Sequence, residues 1–140
     1  MLNKTSQILL CSILTLGMHI FPKIASADNI RIEFTEDDSY SIEVARIEVG
    51  DTINWLPINK GHNVEFIKGG VPDGVDKFRS KYNVDTEYKF TIPGIYAYWC
   101  TPHKNMGMIG FVVVDGDKSN LEQIKKIRFN AKSKKMMLIF

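Results

Sequence analysis

Cysteine and histidine are scarce in this chain, which holds two cysteines, Cys11 and Cys100, and three histidines, His19, His62 and His103. Two of these five fall in an N-terminal stretch with the grammar of an export leader. Lys4 supplies a positive start, Ile8 to Ile20 a mostly apolar core, and Ala25-Ser26-Ala27 a small-residue cleavage site. The apolar run is short and lacks a basic stop-transfer flank, so it predicts a signal peptide over residues 1–27, cleaved near Ala27-Asp28, and no membrane span. Cys11 follows Leu10 rather than a small residue, which argues against lipid attachment there. Beyond the leader one cysteine and two histidines are left, so a disulfide framework within one chain is excluded. The remaining length suits one domain with one core and is too short for two. Other signals are missing as well: no Ser-His-Asp arrangement, no phosphate-binding glycine loop, no specific carboxylate pair, no internal repeat and no low-complexity tract.

The charge is segregated. Residues 28–117 carry 9 Lys and Arg against 15 Asp and Glu, net −6, whereas residues 118–140 carry 7 against 1, net +6. In the basic segment the charges alternate with Leu121, Ile124 and Ile127 at helical spacing, which predicts a solvated helix face packed on the domain rather than a nucleic-acid arm. Ser119 and Glu122 have the spacing of a capping box for that helix. Met136 to Phe140 are apolar with no evident partner, and either a second helix or a loose end suits them.

From Ile30 to Asp117 the pattern is all-β. Ile30, Ile32 and Phe34 alternate with polar residues, and Tyr40, Ile42 and Val44 repeat the alternation. Gly50-Asp51 marks a turn before Thr52 to Leu56. Further β-rich runs follow at Val64 to Ile67, Tyr88 to Ile92, Tyr96 to Cys100 and Ile109 to Val114. Seven or eight short strands at this spacing imply a Greek-key β-sandwich, with Lys68 to Asp85 as a loop holding at most one helical turn. The chain therefore divides into a leader (1–27), a β-sandwich domain (28–117) and a C-terminal helical extension (118–140).

The few sulfur and imidazole groups that remain form a pattern. His62, Cys100, His103 and Met108 stand as H-x37-C-x2-H-x4-M, with Cys100 at the end of a β run. Singly, each has a dull role as core filler or surface polar group. Together, two imidazoles, a thiolate and a weak axial thioether suit both Cu(I) and Cu(II) and mark an electron-transfer site. A structural zinc site would want more Cys or His, Met is a poor zinc ligand, and a binuclear copper centre needs a second cysteine. A Cys100–His103 nucleophile pair is the weaker reading, because it leaves His62 and Met108 unexplained.

The segments Gly61-His62-Asn63-Val64-Glu65, Val71-Pro72-Asp73-Gly74, Cys100-Thr101-Pro102-His103 and Met106-Gly107-Met108 resemble the pseudoazurins of the cupredoxin family, over about Ile30 to Ile127. The ligand spacing is nearer to theirs than to that of plastocyanins or azurins. The resemblance implies an eight-stranded cupredoxin sandwich with C-terminal helices and one type 1 copper held by His62, Cys100, His103 and Met108. Met106 also follows His103 closely, and it is the resemblance that favours Met108 as the axial group. Met106 is then left to a docking patch with Pro102, Gly107 and Ile109. The short second helix and the Lys104-Asn105 filling of the loop depart from the family.

Further expectations attach to this reading. Asn63 offers its backbone N–H to the Cys100 sulfur and its side chain to Thr101, tuning the potential and stiffening the loop, and Thr101 and Pro102 stand with it around the ligands. His103 is the electron port, Trp99 a second route beside the thiolate, and Lys60, Arg79, Lys81 and Lys104 a basic ring that steers acidic partners. The expected function is a monomeric, periplasmic, non-enzymatic carrier of single electrons. By resemblance its redox partners are a c-type cytochrome, a copper nitrite reductase or a nitrous-oxide reductase. The alternative is a periplasmic copper-handling or storage protein, against which stands the absence of Met-rich or His-rich tracts.

Overall fold

In a computed structural model the described residues are 26–139. Most of the expected leader, with Cys11 and His19, lies outside them, as does Phe140. Among the described residues seven strands form two sheets: β1 (Asn29–Glu33), β2 (Val44–Ile47), β3 (Thr52–Leu56), β4 (Glu65–Phe66), β5 (Thr86–Lys89), β6 (Gly94–Trp99) and β7 (Ile109–Val114). One sheet has the order β1-β3-β5 and the other β2-β7-β6-β4. β1 runs parallel to β3 and β2 parallel to β7, while β3–β5, β4–β6 and β6–β7 are antiparallel. Two helices follow, α1 (Leu121–Lys125) and α2 (Ala131–Met136). No described helix is long and apolar enough to cross a membrane.

Alternation decides which side of each strand goes inward. Ile32 on β1 and Ile53 and Trp55 on β3 meet Tyr96 and Tyr98 of β6 and Val112 and Val114 of β7 across the sandwich. Aromatic rings dominate this core: Trp55 and Tyr98 meet edge to face at 5.3 Å, Tyr40 and Tyr98 at 4.9 Å, and Phe90 and Tyr96 at 4.9 Å. Such pairs stabilise beyond their buried area by about 1 kcal/mol each.

β7 reads Ile-Gly-Phe-Val-Val-Val and is buried at every position, as is β6 from Gly94 to Tyr98. A continuously apolar strand needs cover on both faces, and the C-terminal segment supplies the second. Ile95, Ala97, Ile109, Phe111 and Val113 form a second core with Ile124, Phe129 and Met136. The helical stripe thus packs on the sandwich, and Met136 ends in a buried place. Hydrogen bonds fix the docking. Asn120 accepts from the Ile95 N–H at 2.9 Å and donates to the Ile95 carbonyl at 2.8 Å, and Gln123 donates to the carbonyls of Gly69 and Val71.

Two local expectations need correction. The capping box does not form: Asn120 occupies the N-cap, with its side chain spent on Ile95, and the Ser119 hydroxyl turns back to Asp117. Tyr40 to Val44 is no continuous strand. Tyr40 makes one bridge to Phe34, and the chain then crosses to the other sheet before β2 begins at Val44. Residues 68–85 form the expected loop, with turns and without a helical one, and Arg79 bridges back to Glu65.

Candidate metal centre

The site lies at one end of the sandwich, where three segments meet. His62 and Asn63 precede β4, Cys100 follows β6, and a nine-residue loop from Cys100 to Met108 returns to β7. That loop is closed by its own backbone. Cys100 N donates to Met108 O at 3.0 Å, His103 N to Cys100 O at 3.1 Å, and Met108 N to His103 O at 3.3 Å. A single 3₁₀ turn, Lys104–Met106, fills the middle and ends at Gly107, whose φ of 95° favours glycine. A Cβ there would also come within 2.8 Å of the Asn130 amide nitrogen, so the extension presses directly on this loop.

Three donor atoms converge. The Cys100 Sγ lies 3.6 Å from His62 Nδ1 and 3.5 Å from His103 Nδ1, and the two Nδ1 atoms are 3.0 Å apart. A point equidistant from all three is about 2 Å from each, close to an ordinary metal–nitrogen bond length. Cys100 and Met108 are fully buried and His62 is nearly so, whereas the His103 side chain keeps 23% of its surface exposed.

Protonation follows from this placement. Burial pushes the Cys100 thiol above its ordinary range, against backbone hydrogen bonds from Asn63 and His103 that favour the thiolate, and Asp38 adds to the rise. Without a cation the sulfur is therefore a protonated thiol and a poor nucleophile, because reactive cysteines have depressed pKa values. His62 is shifted down, first by burial and then by His103, with Asp38 opposing. A neutral imidazole keeps a lone pair for a metal. Two nitrogens, one sulfur that a cation can deprotonate and a buried thioether make a donor set suited to copper rather than zinc.

A hydrogen-bonded brace surrounds the donors. Asn63 Nδ2 donates to Thr101 Oγ1 at 3.0 Å, and Thr101 N donates to Asn63 Oδ1 at 2.8 Å. Thr101 Oγ1 donates to Glu65 Oε2 at 2.8 Å, and the Trp99 indole N–H reaches the same oxygen at 3.2 Å. Burial would raise the Glu65 carboxyl, but these two bonds, with Arg79 and Lys104 nearby, outweigh it and hold the group below the usual range. Glu65 was not singled out from the sequence as part of the site, although alternation from Asn63 along the G-H-N-V-E segment puts it on the same side. Asp38 was missed too, because Thr-Glu-Asp-Asp reads only as a loop.

The sequence matches the copper-binding proteins of the plastocyanin/azurin family over residues 28–115. The chain belongs to that family. Within it, the chain is 36% identical over 118 residues to a pseudoazurin of Methylorubrum extorquens, covering 81% of this chain and 80% of that protein. It is 44% identical over 92 residues to a pseudoazurin of Paracoccus pantotrophus, covering 66% and 63%. Curated matches of this kind span from 53% to 80% of the relatives' own lengths. The crystal structure of a Methylobacterium extorquens pseudoazurin superposes with a TM-score of 0.73 at 34% identity, covering 80% of this chain and 95% of that one. The fold is the cupredoxin sandwich and the cofactor of the family is copper.

Pro102 and Met106 are exposed beside His103, Met106 at 63%. Gly107 and Ile109 are not part of that patch: the extension covers Gly107, and Ile109 opens β7 inside the second core. Lys60, Arg79 and Lys81 are exposed, while Lys104 lies over the Trp99 ring with its Nζ 4.8 Å from the centroid. Trp99 is partly buried and lines a groove of about 1210 Å³ between β4, the 68–79 loop and α1.

Proposed function

We propose that this protein carries single electrons in the periplasm through one type 1 copper held by His62, Cys100, His103 and Met108. The supporting observation is the convergence of one thiol sulfur and two imidazole Nδ1 atoms on a single buried point. Copper bound there supplies a one-electron Cu(I)/Cu(II) couple. The chain's contribution is to hold the donors ready. The closed backbone of the 100–108 loop and the Asn63–Thr101–Glu65 brace fix the donor positions, so little need move when the charge changes. Burial excludes water from Cys100, and His103 brings a donor ring to the surface among exposed apolar groups, where a partner can approach.

The leader-like N-terminus supports export to the periplasm, with residues 28–117 as the copper domain and 118–140 as its extension. We take the carrier to be monomeric, as suits transient encounters with partners, and without enzymatic activity, since every Cys and His of residues 28–140 is used in one site. Its partners would be redox proteins such as a c-type cytochrome, a copper nitrite reductase or a nitrous-oxide reductase. The test is the visible spectrum after adding one equivalent of Cu(II). We expect an intense thiolate-to-copper band that bleaches reversibly on reduction and is absent in Cys100→Ser. A colourless protein, or colour that survives loss of Cys100, would overturn the assignment.

A further inference from the structure

The turn between β1 and Tyr40 places a carboxylate against both imidazoles. Thr35 N donates to Ser39 O at 2.9 Å, and the Asp37 carboxylate accepts from the hydroxyls of Thr35 and Ser39, so Asp37 is consumed in closing the turn. Asp38 is left at φ 53°, a left-handed conformation that Asp tolerates better than most residues. Its Oδ1 lies 3.7 Å from His62 Nε2 and 3.6 Å from His103 Nδ1, with 31% of the side chain exposed. These separations exceed hydrogen-bond length. Asp38 is therefore a fixed neighbouring charge to both rings and stands outside the converging donor set.

We propose that Asp38 is a positioning residue for charge, which selectively favours the oxidised centre and lowers its reduction potential. The inference rests on the copper reading above. With a Cys100 thiolate and two neutral imidazoles, the donors carry one negative charge. The centre is then net +1 with Cu(II) and neutral with Cu(I), and a nearby carboxylate discriminates between the two by Coulomb attraction. At this partial exposure the discrimination is roughly tenfold, corresponding to ~59 mV for one electron. Salt weakens it, because the group still faces solvent.

The experiment is an equilibrium redox titration of the copper-loaded full chain, with competition titrations for Cu(II) and Cu(I), on wild type, Asp38→Asn and Asp38→Gly. The glycine variant removes the charge while accepting the positive φ, so it separates charge from turn geometry. We expect both variants to keep the thiolate band, raise the potential by ~59 mV and bind Cu(II) roughly tenfold more weakly with Cu(I) affinity unchanged. The rise should shrink as ionic strength increases. Unchanged potentials, or equal losses of Cu(I) and Cu(II) affinity, in variants that keep the band would overturn the role of Asp38 and leave the copper centre standing. Absence of the band in wild type would overturn both.

Discussion

At the scale of single residues, the site depends on groups whose ordinary chemistry is suppressed until a cation arrives. Cys100 is a buried thiol pushed above its usual range, and His62 is held below its own. At pH 7 the sulfur therefore keeps its proton while the His62 ring has largely lost its charge. Loading Cu(II) should release one proton, from Cys100, so apparent affinity should rise about tenfold per pH unit between about pH 7 and pH 8. Competition titrations at several pH values check this. A flat profile in wild type would mean that the sulfur is not the group displaced, and Cys100→Ser should abolish the slope. The converging donors were legible in the sequence because residues 28–140 hold no other Cys or His, so their spacing had few alternatives. Asp38 was not legible. Its approach to the imidazoles depends on Asp37 being used up by the turn and on one left-handed residue, neither of which leaves a periodic mark.

At the scale of elements, strands declared themselves where packing is uniform along their length. Thr52–Leu56 alternates because one face meets the aromatic core, and Ile109–Val114 is continuously apolar because both faces are covered. Tyr40 to Val44 misleads because its alternation persists while the chain passes from one sheet to the other. The capping box fails for a tertiary reason, since Asn120 does more by bonding both backbone groups of Ile95. The β6–β7 pair that carries the ligand loop has a specific steric requirement. Gly110 faces Tyr98, and a Cβ there would lie 2.3 Å from Tyr98 Cζ and 2.4 Å from its hydroxyl. Tyr98 cannot retreat, being wedged against Trp55 and Tyr40. Gly110→Ala should thus cost about 3 kcal/mol or more, through overpacking. Urea unfolding with an unchanged m-value measures it, and a loss under about 1 kcal/mol would show that the ring has room to move.

At the scale of the whole molecule, the question is whether the basic extension is an appendage or part of the fold. The charge contrast, net −6 against net +6, invites the first answer. Packing argues for the second. Phe129 is buried edge to face on Phe111 at 5.5 Å, Ile124 and Met136 complete the same cluster, and Lys132 pairs with Glu43 at 2.7 Å. Ion pairs as exposed as the last contribute less than about 1 kcal/mol, so the apolar contacts decide. Removing the Phe129 ring leaves a cavity under β7 and should cost about 3 kcal/mol or more, lowering the thermal midpoint by ~10 °C or more. Lys132→Ala should change little by comparison. If the extension is integral, far-UV dichroism and the thiolate band of copper-loaded Phe129→Ala should vanish in one coincident transition. Because Asn130 lies against Gly107, the copper band cannot outlast the extension in that case. Two separate transitions, with colour persisting after the helical signal has gone, would instead make residues 118–140 an independent unit docked on a self-sufficient copper domain.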